Sequence, residues 1–422
     1  MRFFFLLLLS LATVSVSQAN ILNTECTMDA SGNDIQGVNN ESPYTIASVT
    51  KVFTSHWAVA RLGANFRFQT LVHVTPVAAG FFDVHLQGGR YPYFDRNHFQ
   101  FLVGELNRIG VKAVRYLTYD ENFVYASDMR TNAMLAHSNQ DITSADIMKD
   151  LRDDTGTINS DLTAFNAKVL ALENMALPKT LTWSVRDIHP LLSSDFERAR
   201  NTRSFSFKSV PLYRILKEMN RNSHNLVSEI LFLDLSDSES YKEFVLSRTD
   251  IPANQITLLN GSGYPILSGS AKLYNRASCA AVLRVMSDLR NLLKNESLDF
   301  KDIVPVAGKD ADGDGNSTVT QIYGDPKTNG TLLGKTGTVS NTIALGGMVS
   351  TDELETFFYT SYTVEPTFND RDAVYKKIKE WIITWLIGER QKSDLDQYRP
   401  KAFLPFDINS RLSDVTTQPQ LP

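Results

Sequence analysis

Three short strings of residues follow one another along the chain, and each carries groups suited to nucleophilic chemistry. Ser48 precedes Lys51 by three positions, which puts a hydroxyl and an amine one helical turn apart on the same face. Ser223 and Asn225 form a Ser-x-Asn string, and Lys335 opens the string Lys-Thr-Gly-Thr. A serine hydroxyl is a poor nucleophile at neutral pH and needs a base within hydrogen-bond reach. The set therefore predicts that Ser48 attacks an amide or lactam carbonyl.

The order of the three strings gives this prediction its weight. Ser48 is the only serine of the chain with a lysine three positions later, and Lys335 begins the only Lys-Thr-Gly triplet. Residues 31–33, Ser-Gly-Asn, also match Ser-x-Asn, but they precede Ser48 and are expected to form a polar loop. A helix is expected at the first string and a strand at the third.

The chemistry of each residue type suggests its role. Lys51 accepts a proton only when its amine is neutral, and burial beside a second cation, Lys335, lowers an amine's pKa. Ser223 can pass a proton between Lys51 and the leaving nitrogen, and the Asn225 amide can orient Lys51. We therefore predict four catalytic residues: Ser48, Lys51, Ser223 and Asn225.

The third string is predicted to bind substrate. A cationic Lys335 and the hydroxyl of Thr338 suit a substrate carboxylate. The backbone N–H groups of Ser48 and Thr338 can form an oxyanion hole, in which each donor contributes about 3 kcal/mol. The seven histidines show no metal-ligand spacing, so neither a metal nor a cofactor is expected. The predicted substrate-binding residues are Lys335, Thr336, Gly337 and Thr338.

Hydrophobic periodicity predicts the elements that must position these residues. Apolar residues at helical spacing predict a helix over 48–62, ended by Gly63, with Ser48 in its first turn. Free N–H groups and the helix dipole favour developing negative charge there. Further elements are predicted as helices over 210–219, 225–234, 271–293 and 372–386, and as antiparallel strands over 331–335, 342–349 and 356–364.

The segment between the first two strings indicates a separate α/β unit. Strands are predicted over 70–74, 82–86 and 114–119, with helices near 101–109 and 162–172. We predict an inserted domain over 69–207, between the two parts of a catalytic domain at 20–68 and 208–390. Residues 391–422, rich in Pro, Gln and Asp, are expected to be a loosely held tail.

Composition and the N-terminus restrict the setting in which the protein works. The 422 residues suit two or three domains, and 42% hydrophobic with 21% charged residues is an ordinary globular composition. The net charge of −5 gives no electrostatic case for binding nucleic acid. Arg2, an apolar stretch to Val16 and then Ser17-Gln18-Ala19 predict a signal peptide over 1–19, with a membrane anchor as the alternative. We expect a soluble periplasmic protein with no integral membrane segment after cleavage.

Two further features leave alternatives open. Cys26 and Cys279 can form one disulfide bond in an oxidising compartment, or remain as buried thiols. The acidic loop 310–316 matches the start of an EF-hand, but Gln321 stands where the last glutamate is needed. A solvated acidic loop is therefore favoured there over a calcium site.

The chain resembles the class C low-molecular-mass penicillin-binding proteins, the D-alanyl-D-alanine carboxypeptidases/endopeptidases of peptidase family S13. Beyond the three strings, residues 62–68 (LGANFRF) resemble the family's LGPDFRF stretch, and 259–263 (LNGSG) its DGSG turn. Residues 304–308 (VPVAG) resemble its LPLAG, and 362–366 (YTVEP) its Y-x-VEP. The resemblance covers about residues 44–377. It implies an α/β (α+β) fold, with a transpeptidase domain of the penicillin-binding-protein/β-lactamase type and a smaller inserted α/β domain.

This resemblance implies a serine D,D-peptidase that acts on peptidoglycan stem peptides through an acyl-enzyme. Carboxypeptidase action on D-Ala–D-Ala termini and endopeptidase action on D-Ala–diaminopimelate cross-links both remain open. β-Lactams are expected to acylate Ser48. One alternative is a β-lactamase, for which no separate deacylating glutamate is identified. The other is a non-catalytic wall-binding protein, which would be expected to have lost a catalytic residue.

Three departures from the family pattern are visible. His224 stands in the middle of Ser-x-Asn, where the family commonly has aspartate. We expect this difference to alter substrate preference or the pH response of the enzyme. Asn260 replaces the usual aspartate of the DGSG turn, and a structural change is expected there. The interval from Ser48 to Ser223 is short for the family's fuller two-domain insert, so one inserted domain and a more open active-site approach are expected.

Overall fold

The computed structural model describes residues 21–32, 34–125, 162–235, 238–312, 315–364 and 371–416. The predicted signal peptide, residues 1–19, lies outside this described part. Within it, no helix is both long enough and apolar enough to cross a bilayer. The α-helices are α1 (Thr50–Leu62), α2 (Arg96–Arg108), α3 (Leu162–Glu173), α4 (Leu212–Asn222), α5 (Asn225–Leu235), α6 (Ser238–Arg248), α7 (Cys279–Asn295), α8 (Thr318–Tyr323) and α9 (Arg371–Trp381).

The strands fall into two larger sheets, one three-stranded sheet and two short hairpins. They are β1 (Ile21–Asp29), β2 (Gln36–Val38), β3 (Pro43–Thr45), β4 (Gln69–Pro76), β5 (Phe82–Gln87), β6 (Ala113–Tyr119), β7 (Ser184–Pro190), β8 (Arg203–Lys208), β9 (Ile256–Thr257), β10 (Ile266–Ser268), β11 (Ala271–Leu273), β12 (Arg276–Ser278), β13 (Ala311–Asp312), β14 (Gly315–Asn316), β15 (Leu332–Val339), β16 (Thr342–Ser350), β17 (Glu355–Val364) and β18 (Ser413–Asp414).

The five-stranded sheet is antiparallel and has the order β15-β16-β17-β1-β2. The predicted meander near the end of the chain is confirmed as β15, β16 and β17, whose short connections favour this pairing. Lys335 pairs with Gly346 in β15 and β16, so the Lys-Thr-Gly-Thr string lies on an edge strand. A disulfide bond between Cys26 and Cys279 joins β1 to the first residue of α7.

The six-stranded sheet has the order β18-β8-β4-β5-β6-β7. Its strands β4, β5 and β6 confirm the predicted strands of the middle segment, and α2 and α3 confirm the two predicted helices there. The pairs β4–β5 and β4–β8 are antiparallel, whereas β5–β6 and β6–β7 are parallel. Phe101 of α2 stacks on Phe207 of β8 with ring centroids 5.8 Å apart. The boundaries 69–207 for an inserted domain stay a prediction.

Residues 391–416, the described part of the predicted tail 391–422, are not loosely held as their composition predicts. Phe406 is fully buried and stacks on Phe101 with ring centroids 4.3 Å apart. Strand β18 pairs with β8, and Arg411 donates to the buried carboxylate of Glu105 at 2.8 Å. A few well-placed apolar and charged side chains are therefore enough to pack a segment whose average composition is polar.

Two predicted helices have different limits in the structure. The helix predicted over 271–293 begins at Cys279, because Ser278 caps it by accepting from the Ala281 N–H. The residues before it form β11 and β12 instead. The helix predicted over 372–386 is α-helical as α9 and continues as a π-helical turn over Ile382–Ile387. The helices predicted over 210–219 and 225–234 are confirmed as α4 and α5.

Candidate active site

Ser48 lies in a short 3₁₀ turn, Ala47–Val49, directly before α1. The prediction that it lies inside the first turn of the α-helix is therefore wrong by two residues. Ala47 has a positive φ of 46°, which is a strained conformation for a residue with a side chain. The hydroxyl of Thr50 donates to the Ala47 carbonyl at 2.7 Å and so fixes the turn.

Two glycines let other segments approach this turn. A Cβ on Gly337 of β15 would lie 3.1 Å from the Ser48 backbone nitrogen, closer than side chains normally approach. A Cβ on Gly263 would lie 1.9 Å from the Ala47 carbonyl oxygen, and Gly263 has a φ of 77°. The Lys-Thr-Gly string and the 259–263 turn therefore need glycine at these positions to enclose Ser48.

Lys51 is fully buried and its amine has three hydrogen-bond partners. Its Nζ lies 3.1 Å from Ser48 Oγ, 2.6 Å from Asn225 Oδ1 and 3.0 Å from the carbonyl oxygen of Ser262. The amide and carbonyl oxygens can only accept hydrogen bonds. A neutral amine that donates its two N–H groups to them therefore directs its lone pair at the Ser48 hydroxyl.

Lys335 brings a second buried amine to the site. Its Nζ lies 3.0 Å from Ser223 Oγ and 2.7 Å from the Thr336 carbonyl oxygen. Ser223 follows α4 in the left-handed conformation with a φ of 57°, so the helix ends there and α5 begins two residues later. The structure thus brings together five of the predicted residues, Ser48, Lys51, Ser223, Asn225 and Lys335.

Burial controls the charge of both amines. It lowers the pKa of Lys51 from 10.5 to about 7, although the negative charge of Glu229 acts in the opposite direction. Burial, and then the charge of Lys51, hold the pKa of Lys335 well below its ordinary value. A substantial fraction of Lys51 is therefore neutral near pH 7, as a general base requires.

The two predicted threonines, Thr336 and Thr338, contact different helices. Thr336 Oγ1 donates to Thr318 Oγ1 of α8 at 3.0 Å. Thr338 Oγ1 lies 3.0 Å from the hydroxyl of Tyr375 in α9. Their hydroxyls are therefore fixed by helices α8 and α9, whereas Gly337 between them approaches the Ser48 turn.

Sequence reasoning missed two groups that support the site. The Ser262 carbonyl is an acceptor for Lys51, and the buried Glu229 carboxylate accepts from the N–H groups of Gly261 and Ser262. Glu229 lies four residues after Asn225, one turn along the same helix face, and this spacing is the signal that could have indicated it.

The structure also shows what surrounds the two residues that depart from the family pattern. The ring of His224 packs edge-on against Tyr93, with centroids 5.5 Å apart. Asn260 accepts from the Gly263 N–H at 2.9 Å and donates to the Tyr264 carbonyl at 2.6 Å. An aspartate cannot make the second contact, so the amide adds a bond to this turn.

The described residues include no group of three or more His, Cys, Asp or Glu side chains arranged to hold a metal ion. In the acidic loop, the carboxylate of Asp310 instead lies 3.0 Å from the Lys217 amine and accepts from the Val306 N–H. Asp310 thus has protein partners on α4 and on the neighbouring backbone.

The site combines three motifs: a serine and a lysine at the start of a buried helix, a Ser-x-Asn between two helices, and a Lys-Thr-Gly on an edge strand. This combination defines a serine acyltransferase of the penicillin-binding-protein and β-lactamase type. The chain belongs to the D-Ala-D-Ala carboxypeptidase 3 (S13) family, whose model matches residues 24–184 and 197–385. It is therefore a serine D,D-peptidase, and the fold and class that the sequence predicts are confirmed.

Solved structures agree with this assignment. Bd3459 from Bdellovibrio bacteriovorus, a predatory peptidoglycan endopeptidase, is 29% identical, with a TM-score of 0.84 over 94% of this chain and 100% of that chain. The penicillin G-acylated form of Bd3459, in complex with immunity protein Bd3460, is 30% identical, with a TM-score of 0.79 over the same shares. Penicillin-binding protein 4 (dacB) from Haemophilus influenzae is 16% identical, with a TM-score of 0.56 over 86% and 95% of the chains, and shows the shared fold alone. Among curated proteins, none matches this chain.

Proposed function

We propose that Ser48 is the nucleophile and Lys51 its general base. The Ser48 oxygen attacks the amide carbonyl of the substrate while its proton passes to the neutral Lys51 amine. Ser223 then relays that proton to the leaving nitrogen as the C–N bond breaks. Water attacks the resulting ester and gives a proton to Lys51, and Lys51 passes that proton to the Ser48 oxygen as the bond between this oxygen and the acyl carbon breaks. The acid product then leaves and the Ser48 hydroxyl and neutral Lys51 are restored.

Asn225 and the third string hold the reacting groups in place in this proposal. Asn225 fixes the direction of the Lys51 lone pair through its 2.6 Å contact. Lys335 and the Thr338 hydroxyl bind a substrate carboxylate, and such a carboxylate favours the protonated form of Lys335. The close approach of Gly337 to the Ser48 nitrogen supports an oxyanion hole made from the N–H groups of Ser48 and Thr338.

The substrate of the proposed reaction is the stem peptide of peptidoglycan. The likeness to Bd3459, a peptidoglycan endopeptidase, favours cleavage of D-Ala–diaminopimelate cross-links, with removal of terminal D-alanine as the second activity. β-Lactams are expected to acylate Ser48, as penicillin G acylates Bd3459. The apolar N-terminus ending at Ser17-Gln18-Ala19 supports export to the periplasm, where this substrate lies.

One observation carries the proposal: the Lys51 amine is buried, lies 3.1 Å from Ser48 Oγ and has its other two contacts with pure acceptors. Digestion of purified peptidoglycan by the wild type and by Ser48→Ala, followed by chromatographic separation of the products, tests it. Cross-linked dimers should decrease with the wild type and persist with Ser48→Ala. Release of D-alanine without loss of dimers would reassign the enzyme as a carboxypeptidase. Unchanged peptidoglycan would contradict both activities.

A further inference from the structure

Glu229 is a buried carboxylate close to the Lys51 amine, and it has no role in the proposed reaction as described so far. It lies in α5 and is 3% exposed. Its two oxygens accept from the N–H groups of Gly261 at 3.2 Å and Ser262 at 3.0 Å. Both contacts join α5 to the 259–263 turn. This turn presents the Ser262 carbonyl to Lys51 at 3.0 Å.

Neutral side chains hold the same turn from two helices. The Gly261 carbonyl accepts from Thr54 Oγ1 of α1 at 2.7 Å and from Ser228 Oγ of α5 at 3.0 Å. These hydroxyls fix the carbonyl side of the peptide, whereas Glu229 fixes the N–H side. Position and charge can therefore be tested separately, because loss of either hydroxyl alters the turn without changing the charge near Lys51.

We propose that Glu229 is a positioning residue for acylation, holding the Ser262 carbonyl against the Lys51 amine and placing one negative charge behind it. This inference rests on the proposed role of Lys51 and extends it to a residue outside the three motif strings. The carboxylate keeps two backbone N–H groups satisfied at once. A glutamine can offer only one acceptor atom and would set its own N–H₂ group against the second N–H.

The charge of Glu229 also acts on the proton affinity of Lys51. The charged groups that face Lys51 are Glu229 from α5 and Lys335 from β15, while Ser48 and Asn225 are neutral. Burial lowers the pKa of Lys51, and Glu229 raises it, with the balance at about 7. Removal of the negative charge should therefore lower the pKa of Lys51 and move the acidic limb of the acylation rate to lower pH.

The test measures acylation by a fluorescent penicillin from pH 5 to pH 9 for wild type, Glu229→Gln, Glu229→Asp and Ser228→Ala. Glu229→Gln should lower the plateau rate about tenfold or more, because the Lys51 contact is misplaced, and should shift the acidic limb to lower pH. Ser228→Ala should lower the plateau several-fold without moving the limb. Glu229→Asp shortens the side chain but keeps its charge. Its plateau rate should therefore fall, because the Lys51 contact is misplaced, while its acidic limb should stay at the wild-type pH.

Thermal unfolding of each variant separates loss of fold from loss of function. A folded Glu229→Gln enzyme with the wild-type plateau and limb would overturn the proposal. If Glu229→Gln does not fold, Glu229→Asp decides: an unchanged plateau contradicts the positioning role. If Ser48→Ala is labelled to the same extent as wild type, the proposed nucleophile is wrong. Failure of the Glu229 proposal and failure of the proposed function therefore give different results.

Discussion

The five-stranded and six-stranded sheets both have buried titratable side chains beside hydroxyl groups, but only one of these arrangements is suited to catalysis. In the six-stranded sheet, His85 Nδ1 lies 2.9 Å from Thr118 Oγ1, and burial lowers the pKa of His85 to about 4. Next to the five-stranded sheet, Lys51 Nζ lies 3.1 Å from Ser48 Oγ, and burial lowers the pKa of Lys51 to about 7.

The difference between the two pairs lies in the backbone that carries the hydroxyl. Thr118 lies in β6, which is paired with strands on both sides. Ser48 lies in a turn strained at Ala47, next to an edge strand whose Gly337 approaches its backbone nitrogen. A pKa lowered by burial is therefore not sufficient for catalysis. The hydroxyl must also face a space where a carbonyl and its oxyanion donors can meet.

The largest expected effect comes from removing the base. Lys51→Ala should lower the rate of acylation by penicillin about 10³-fold, because Ser48 loses its proton acceptor. His85→Gln removes the corresponding buried base of the six-stranded sheet and should leave the acylation rate unchanged. Rates measured with a fluorescent penicillin check both variants. Similar losses in the two variants would contradict the distinction between the sheets.

The pH dependence of the wild type should follow the protonation of Lys51. The base acts only when neutral, so acylation should fall as the pH decreases through about 7. A group of that pKa predicts a decrease of about 100-fold from pH 8 to pH 5. His85 titrates at about 4 and should contribute no step in this range. Stopped-flow acylation across the range measures the limb, and a rate independent of pH would exclude Lys51 as the base.

The second amine should affect only ligands that carry a carboxylate. Lys335→Ala should slow acylation by penicillin roughly 30-fold, as expected for loss of a charge-assisted contact of about 2 kcal/mol. The methyl ester of the same penicillin lacks the carboxylate and serves as the control ligand. The ester should react with wild type and Lys335→Ala at similar rates. Equal losses with both ligands would assign Lys335 to proton transfer instead.

The smallest effect on activity is expected from a variant that weakens the six-stranded sheet region. Glu105 is buried and accepts from Arg108, Arg411 and the Leu412 N–H, which fastens the end of the chain to α2. Glu105→Gln should lower the free energy of unfolding by about 2 kcal/mol, because one of these donors loses its partner. Denaturant unfolding measures the loss. The acylation rate of the folded variant should equal that of wild type, and a large decrease would show coupling between the two sheets.

Residue types and their order along the chain indicate Ser48, Lys51 and Lys335, because few other residues can perform the proposed steps. The structure brings these residues together, and their catalytic and binding roles stay predictions. Apolar runs predict three strands of each sheet, β15 to β17 and β4 to β6, whereas β1, β2, β7, β8 and β18 are not predicted from the sequence. The Ser262 carbonyl was missed because it is a backbone group, and no residue type marks a backbone acceptor.

Other differences arise from contacts between residues far apart in the chain. The packing of Phe406 on Phe101 depends on the whole six-stranded sheet, so local composition predicted a loose tail instead. Two cysteines give no spacing pattern, so the sequence alone does not decide between the Cys26–Cys279 bond seen in the structure and two buried thiols. The 3₁₀ turn at Ser48 depends on the strained Ala47, which helical periodicity does not indicate.

Acylation of Ser48 by penicillin can be measured by mass spectrometry of the treated protein. We expect one covalent adduct per chain, located in the peptide that contains Ser48, and no adduct in Ser48→Ala. An adduct on another residue, or one that persists in Ser48→Ala, would contradict this expectation.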